Sequence, residues 1–195
     1  MKPVQTLVLL GGLVLSAGLA GAAEPRKLPG ELGNFDIHAE PAPADWRYFL
    51  KSPERDRELL WSRQVQRGMK LANWSWGWRL GWVRACGTSE RDYCAAILRA
   101  ALFDRALVVR AEAATRLGRR FAGTGDPAVT KLLARAYGLG RNVRKGQPLF
   151  VHMRILFALR DIGGDDALST AESLASSHEA TAAYWEKLKS AASAL

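Results

Sequence analysis

Four of the seven tryptophans in this sequence lie within a stretch of nine residues. If that stretch is helical, Trp74, Trp78 and Trp82 share one face, because residues three or four apart lie above one another, and Trp76 points elsewhere. Such a stripe is typical of a buried core. The alternative is an aromatic surface that binds a sugar polymer or a peptide, since tryptophan is enriched in binding hot spots. We favour the core, with Trp76 as the member expected to be exposed.

Positive charge is concentrated in the middle of the chain. The formal net charge is +9 overall, but residues 61–145 carry +12, while residues 24–60 and 146–195 carry −2 each. Part of this charge is ordinary, because cations stabilise helix C-termini and cover solvated faces. The excess predicts a surface for an anionic partner. The candidate binding side chains in it are Arg116, Arg119, Arg120, Arg141, Arg144 and Lys145.

Residues with catalytic or metal-binding chemistry are few and scattered. Ser177, His178 and Glu179 are consecutive, whereas a hydrolase triad needs a geometry that adjacent residues do not supply. His152 falls in an apolar segment and is expected to be a packed or surface histidine. The sequence has no GxSxG, HExxH or phosphate-binding loop. We therefore expect no enzyme, no metal and no cofactor, and an enzyme with an unrecognised site is the alternative.

The first 23 residues have the layout of a secretory signal peptide. Lys2 supplies the positive start, an apolar run extends from Leu7 to Ala20, and small residues follow it. The run is about 14 residues long, whereas a membrane anchor needs about 20. No later segment is long and apolar enough to span a bilayer. We predict cleavage near Ala22 or Ala23 and a periplasmic or secreted mature protein.

Export determines how the two cysteines are interpreted. In an oxidising compartment Cys86 and Cys94, with seven residues between them, are best explained as one disulfide. The alternative is a catalytic thiol, but this spacing is not that of a redox dithiol. We therefore predict a disulfide that closes a short loop.

The remaining pattern predicts an all-α fold behind an extended arm. Residues 24–52 contain four prolines and few apolar side chains, which indicates an arm with little regular structure. Ser52, Pro53 and Glu54 then form a good helix start. From there to Leu195 the apolar residues follow the helical period, with no convincing strand alternation.

The predicted helices recur in phase. Three times a helix ends near glycine and the next begins at an aspartate that could cap it, at Asp92, Asp126 and Asp166. These aspartates are 34 and 40 residues apart, which is the period of an α-solenoid. One such unit cannot bury its apolar face alone, so stacked units would form the core.

Two segments carry a family resemblance. Residues 109–118 (VRAEAATRLG) resemble the second-helix signature of HEAT repeats, and residues 158–165 (ALRDIGGD) repeat its ending. The resemblance implies a short HEAT-like α-α solenoid of about three helical-hairpin units over residues 53–195. HEAT-like iron hydroxylases place His-Glu pairs at repeat positions, where this chain has Ala111 and Glu112, so a diiron centre lacks its ligands.

The function implied by this resemblance is binding, because HEAT-like arrays serve mainly as scaffolds. We expect a non-catalytic, exported protein-binding or assembly scaffold of the cell envelope. The alternative is a binder of an anionic envelope polymer, such as lipopolysaccharide or an acidic cell-wall polymer, through the basic surface. Nucleic acid is not expected, because the chain is exported and lacks an RNA-binding signature that combines aromatic and basic residues.

Overall fold

The computed structural model describes residues 32, 34–67 and 70–192, and the predicted signal peptide lies outside them. This part of the chain is mostly helical and confirms the all-α class. Its α-helices are α1 Pro43–Lys51, α2 Glu54–Gln66, α3 Trp76–Cys86, α4 Asp92–Ala101, α5 Leu107–Arg120, α6 Pro127–Tyr137, α7 Phe150–Ile162, α8 Gly164–Ala175 and α9 Glu179–Ala192. Short 3₁₀ turns precede α3 at Leu71–Asn73 and follow α6 at Gly140–Asn142.

A small β-hairpin joins α6 to α7. Its strands, β1 Val143–Arg144 and β2 Gln147–Pro148, pair antiparallel. Lys145 and Gly146 form the turn with φ of 51° and 74°, and positive φ at both central residues is typical of the type I′ turn in two-residue hairpin loops. The sequence pattern had indicated no strand here, because each strand is only two residues long.

The core is built around a row of three helices. Helix α5 packs on one side against α3 and on the other against α7, and α4, α6 and α8 return the chain between them. The helices α5 and α7 approach closely at Gly118 of α5, where a Cβ atom would lie 2.6 Å from the Cα of Ala158 in α7. The α5–α7 contact is the most extensive between any two described elements.

The extended arm predicted for residues 24–52 is wrong in its last part, which forms α1 and packs against α3. Pro43 occupies the first turn of this helix, where its missing N–H is tolerated. Phe49 is fully buried, and Trp46 lies against Gly81, whose missing side chain leaves room for the indole. The apolar spacing over a single short helix was too sparse to distinguish it from an arm.

One of the three aspartates predicted to cap helices does so. Asp126 accepts hydrogen bonds from the backbone N–H groups of Ala128 and Val129 at 2.8 and 3.0 Å. The prediction is wrong for Asp92 and Asp166, which lie in the first turns of α4 and α8 and cap neither helix. Their charge still stabilises those turns, because the helix N-terminus is positive.

Cys86 at the end of α3 and Cys94 in the first turn of α4 lie at disulfide-bonding distance, with Cα atoms 4.8 Å apart. Both side chains are buried. Within residues 32, 34–67 and 70–192, no helix combines the length and the apolar character needed to cross a bilayer.

Candidate functional site

The tryptophan cluster is divided between the core and the surface. Trp74, Trp78 and Trp82 are at most 1% exposed, and Trp82 lies edge-to-face against both Phe49 and Trp74. Trp76, in the first turn of α3, is 48% exposed. Three of the four indoles therefore stabilise the fold, and one is free to contact a ligand.

Trp76 belongs to an aromatic and aliphatic groove that crosses the helix row. Val108 at the start of α5 is 41% exposed, and Phe150 at the start of α7 is 45% exposed. All three line one concavity of about 340 Å³, together with Leu80. They come together because α3, α5 and α7 run in the same direction, which brings their N-terminal turns side by side. We call this concavity the N-terminal groove.

Charged side chains border the N-terminal groove. Glu112 of α5 pairs with Arg116 at 2.8 Å and faces Arg84 of α3 at 3.8 Å. Arg84 also lies over the ring of Trp46, 4.9 Å from its centroid. Arg154 of α7 lines the same groove and is exposed, with no carboxylate within 4 Å among the described residues. The groove border therefore carries more positive than negative charge.

Three of the predicted basic residues cluster at the C-terminal end of α5. Arg116 is held by Glu112, Arg119 is exposed, and Arg120 donates hydrogen bonds to the carbonyl oxygens of Ser89 and Glu90. Arg120 thus ties α5 to the loop between α3 and α4. Part of this predicted binding surface consequently has a structural role.

Of the other three predicted basic residues, Arg141 lies beside the N-terminal half of α5. Arg110 of α5 donates to the carbonyl of Arg141 at 3.3 Å, and Arg144 and Lys145 follow in the exposed β-hairpin. Arg110 and Arg120 are about 15 Å apart along the helix at the usual rise per residue. The six cations therefore form two separate groups, so the structure does not bring them together as a single patch.

Two buried arginines were missed by the sequence reasoning. Arg79 is 1% exposed and forms a bidentate ion pair with Asp104, with N–O distances of 2.7 and 2.9 Å. Arg110 is 2% exposed and donates to Oδ1 of the fully buried Asn142 at 2.8 Å. A charged residue between Trp78 and Leu80, inside an apolar stretch, was the signal that could have identified Arg79.

The histidines contribute packing contacts. His152 is 1% exposed and lies edge-to-face against Tyr137, with ring centroids 4.3 Å apart. Burial lowers the pKa of His152 below its ordinary value, because the charged ring would lose its hydration. His178 approaches the same ring at 6.3 Å. In the part of the chain that the structure describes, no three His, Cys, Asp or Glu side chains are grouped as metal ligands would be.

Among the described residues, an exposed aromatic groove therefore lies on the helix row, and the predicted cations fall into two separate groups. Comparison with known proteins adds no further constraint. No family model, curated protein or solved structure matches this chain.

Proposed function

We propose that this protein is a non-catalytic binding module that holds a segment of another protein in the N-terminal groove. The observation that carries the proposal is the alignment of three exposed apolar side chains, Trp76, Val108 and Phe150, at the starts of three adjacent helices. Large apolar side chains that are exposed together mark interaction sites, whereas isolated ones are common on any surface. Tryptophan in particular contributes strongly to binding energy.

The partner segment that fits this groove is apolar and acidic. Its apolar side chains would cover Trp76 and Phe150, and its carboxylates would meet Arg84 and Arg154 at the border. Arg154 forms no ion pair among the described residues, so a carboxylate of the bound segment could form an ion pair with it. Complementary charge of this kind raises the association rate and selects among apolar segments.

The proposed architecture is a short HEAT-like α-solenoid. The packing of α3, α5 and α7 in a row, with α4, α6 and α8 as return helices, supports it. So do contacts between successive glycine loops, in which Gly123 and Gly125 donate to the carbonyls of Asp161 and Ile162. Repeat arrays of this type present one helix face as a binding surface.

We further propose that the protein acts outside the cytoplasm, as a scaffold in the cell envelope. The signal-like layout of residues 1–23 supports export. Cys86 and Cys94 at disulfide-bonding distance are compatible with an oxidising compartment.

Selection from a random dodecapeptide library displayed on phage tests the proposal. Peptides retained by the wild-type protein should be enriched in aromatic and acidic residues. The substitutions Trp76→Ala and Phe150→Ala should each weaken binding of a synthetic selected peptide at least about tenfold. Leu168→Ala is the matched control, because Leu168 is as exposed as Val108, at 41%, but lies on α8 and does not line the groove.

The result that would overturn the proposal is equally specific. If the selected peptides bind the wild type, Trp76→Ala and Leu168→Ala with the same affinity, the binding surface lies outside the N-terminal groove. Selected peptides without acidic enrichment, or an Arg154→Gln variant with unchanged affinity, would contradict the charge complementarity. Circular dichroism of each variant establishes that the helices are retained.

A second proposed function is binding of an anionic envelope polymer at the β-hairpin. Arg144 and Lys145 are exposed there, and Lys145 lies in the turn of the hairpin. The double substitution Arg144→Glu and Lys145→Glu should abolish binding to lipopolysaccharide vesicles, and added salt should weaken wild-type binding. Binding that is unchanged by both treatments would refute this candidate.

A further inference from the structure

A second concavity, separate from the N-terminal groove, lies where the 3₁₀ turn before α3 meets the end of α4. Its volume is about 300 Å³, at the lower end of the range for small-molecule sites. Leu71 and Ala72 form one apolar side, and Ala100 and Phe103 belong to the other. We call this concavity the arginine cleft, because charged groups form its floor and its rim.

The floor of the arginine cleft is a fixed ion pair. Arg79 donates from Nε and Nη2 to the two carboxylate oxygens of Asp104, and from Nη1 to the carbonyl of Trp74. The side chains of Arg79 and Asp104 are 1% and 7% exposed. Asp104 also accepts from the backbone N–H of Ala106 at 2.7 Å. This carboxylate is therefore fully used within the fold.

A second buried guanidinium lies behind the floor. Arg110 donates to the side chain of Asn142 and to the carbonyls of Asp104, Arg105 and Arg141, all of which are neutral oxygens. Burial and the positive charge of Arg141 lower the pKa of Arg110, and the nearby negative charge of Asp104 opposes them. The charge of Arg110 is thus only partly compensated by Asp104.

The rim adds two further cations. Arg105 and Arg141 line the cleft and are exposed, and within the described residues no carboxylate lies within 4 Å of either one. The lining of the cleft therefore contains three arginines, Arg79, Arg105 and Arg141, and one carboxylate, that of Asp104. Positive charge in a concavity with low-dielectric walls concentrates anions there.

We propose that the arginine cleft binds a small amphiphilic anion, with the anionic group between Arg105 and Arg141 and the apolar part against Leu71 and Phe103. Arginine suits this role, because its planar guanidinium donates two parallel hydrogen bonds to a carboxylate or phosphate oxygen pair. The apolar walls favour an anion that carries a hydrocarbon part, because binding removes apolar surface of both the ligand and the walls from water.

Binding of hexanoate, followed by amide chemical shifts in NMR, tests the proposal. Hexanoate should bind saturably and shift the amide signals of Leu71 and Phe103. Arg105→Gln and Arg141→Gln should each weaken it about tenfold, the loss expected for one charged hydrogen bond. Arg99→Gln is the matched control: Arg99 is exposed on α4 and the substitution makes the same charge change, but Arg99 does not line the cleft, so the affinity should change less than about twofold.

Two further probes separate the parts of the proposal. Hexanamide has the size of hexanoate without its charge, and inorganic phosphate has charge without a hydrocarbon part. If hexanamide binds as tightly as hexanoate, the arginines do not contribute to the affinity. If inorganic phosphate binds as tightly as hexanoate, the apolar walls do not contribute to it. Ala72→Trp should block the cleft with its charges intact, and unchanged hexanoate binding in that variant would place the site elsewhere.

Discussion

Gly118 of α5 lies against the backbone of Ala158 in α7, so closely that a Cβ atom at position 118 would be 2.6 Å from the Cα of Ala158. This approach is what allows the two helices to form the most extensive contact in the described fold. The N-terminal groove depends on it, because Val108 and Phe150 belong to the same two helices.

Gly118→Ala should therefore destabilise the protein, although alanine is the better helix former. The added methyl group meets backbone, so the helices must separate, and overpacking of this kind lowers the free energy of unfolding by about 1–3 kcal/mol. Urea denaturation measures the change. Gly140→Ala is the control, since a Cβ there meets nothing within 4 Å, and a loss as large as that of Gly118→Ala would contradict the packing argument.

The buried ion pair makes a second prediction. Asp104→Ala leaves Arg79 buried without its carboxylate, and removal of one partner from a buried pair lowers the free energy of unfolding by about 3–5 kcal/mol. Asp161→Ala removes the partner of Arg160, a pair that is 27% and 19% exposed, and should have a smaller effect of about 1 kcal/mol. Equal losses in guanidinium denaturation would argue against a special role for the Arg79 pair.

We expect the stability of the protein to depend on whether Cys86 and Cys94 are oxidised or reduced. The bond between Cys86 and Cys94 closes a loop of nine residues, for which the chain-entropy estimate is about 2.5 kcal/mol. Replacement of both cysteines by serine should lower the free energy of unfolding by about that amount, and dithiothreitol should affect only the wild type. Free thiols in the denatured, unreduced protein would show that the pair is not bonded.

We expect the buried His152 to make the folded state less stable at acidic pH. Its pKa is lowered in the fold, so the unfolded chain takes up a proton first as the pH falls below about 6.5. The stability is therefore complete above that pH and decreases as the pH falls toward the lowered value. Between pH 7.5 and 5.5 the wild type should lose more free energy of unfolding than His152→Leu. The exposed His38 is the control, and His38→Gln should retain the wild-type dependence.

The sequence predicted the features that depend on local spacing. The helical period placed Trp78 and Trp82 on one face of α3, and both side chains are buried. Trp74 is also buried, but it precedes α3 in an extended conformation, so its predicted place on that helical face was wrong. Asp126 before Pro127 is a local cap signal, and it does cap α6. Helix α1 was missed, because a nine-residue helix gains most of its stability from tertiary packing, here of Phe49 into the core.

The chain's residue pattern by itself determined the all-α class, the pairing of Cys86 with Cys94 and the excess of positive charge, because each depends on residues close in sequence or on composition alone. Only the tertiary structure decided how that charge is used. The packing of α3, α5 and α7 separated Arg120 from Arg141, buried Arg79 and Arg110, and aligned Trp76 with Phe150. In each of these cases the residues concerned are more than 20 positions apart in the sequence, so the packing of the helices determines the distances between them.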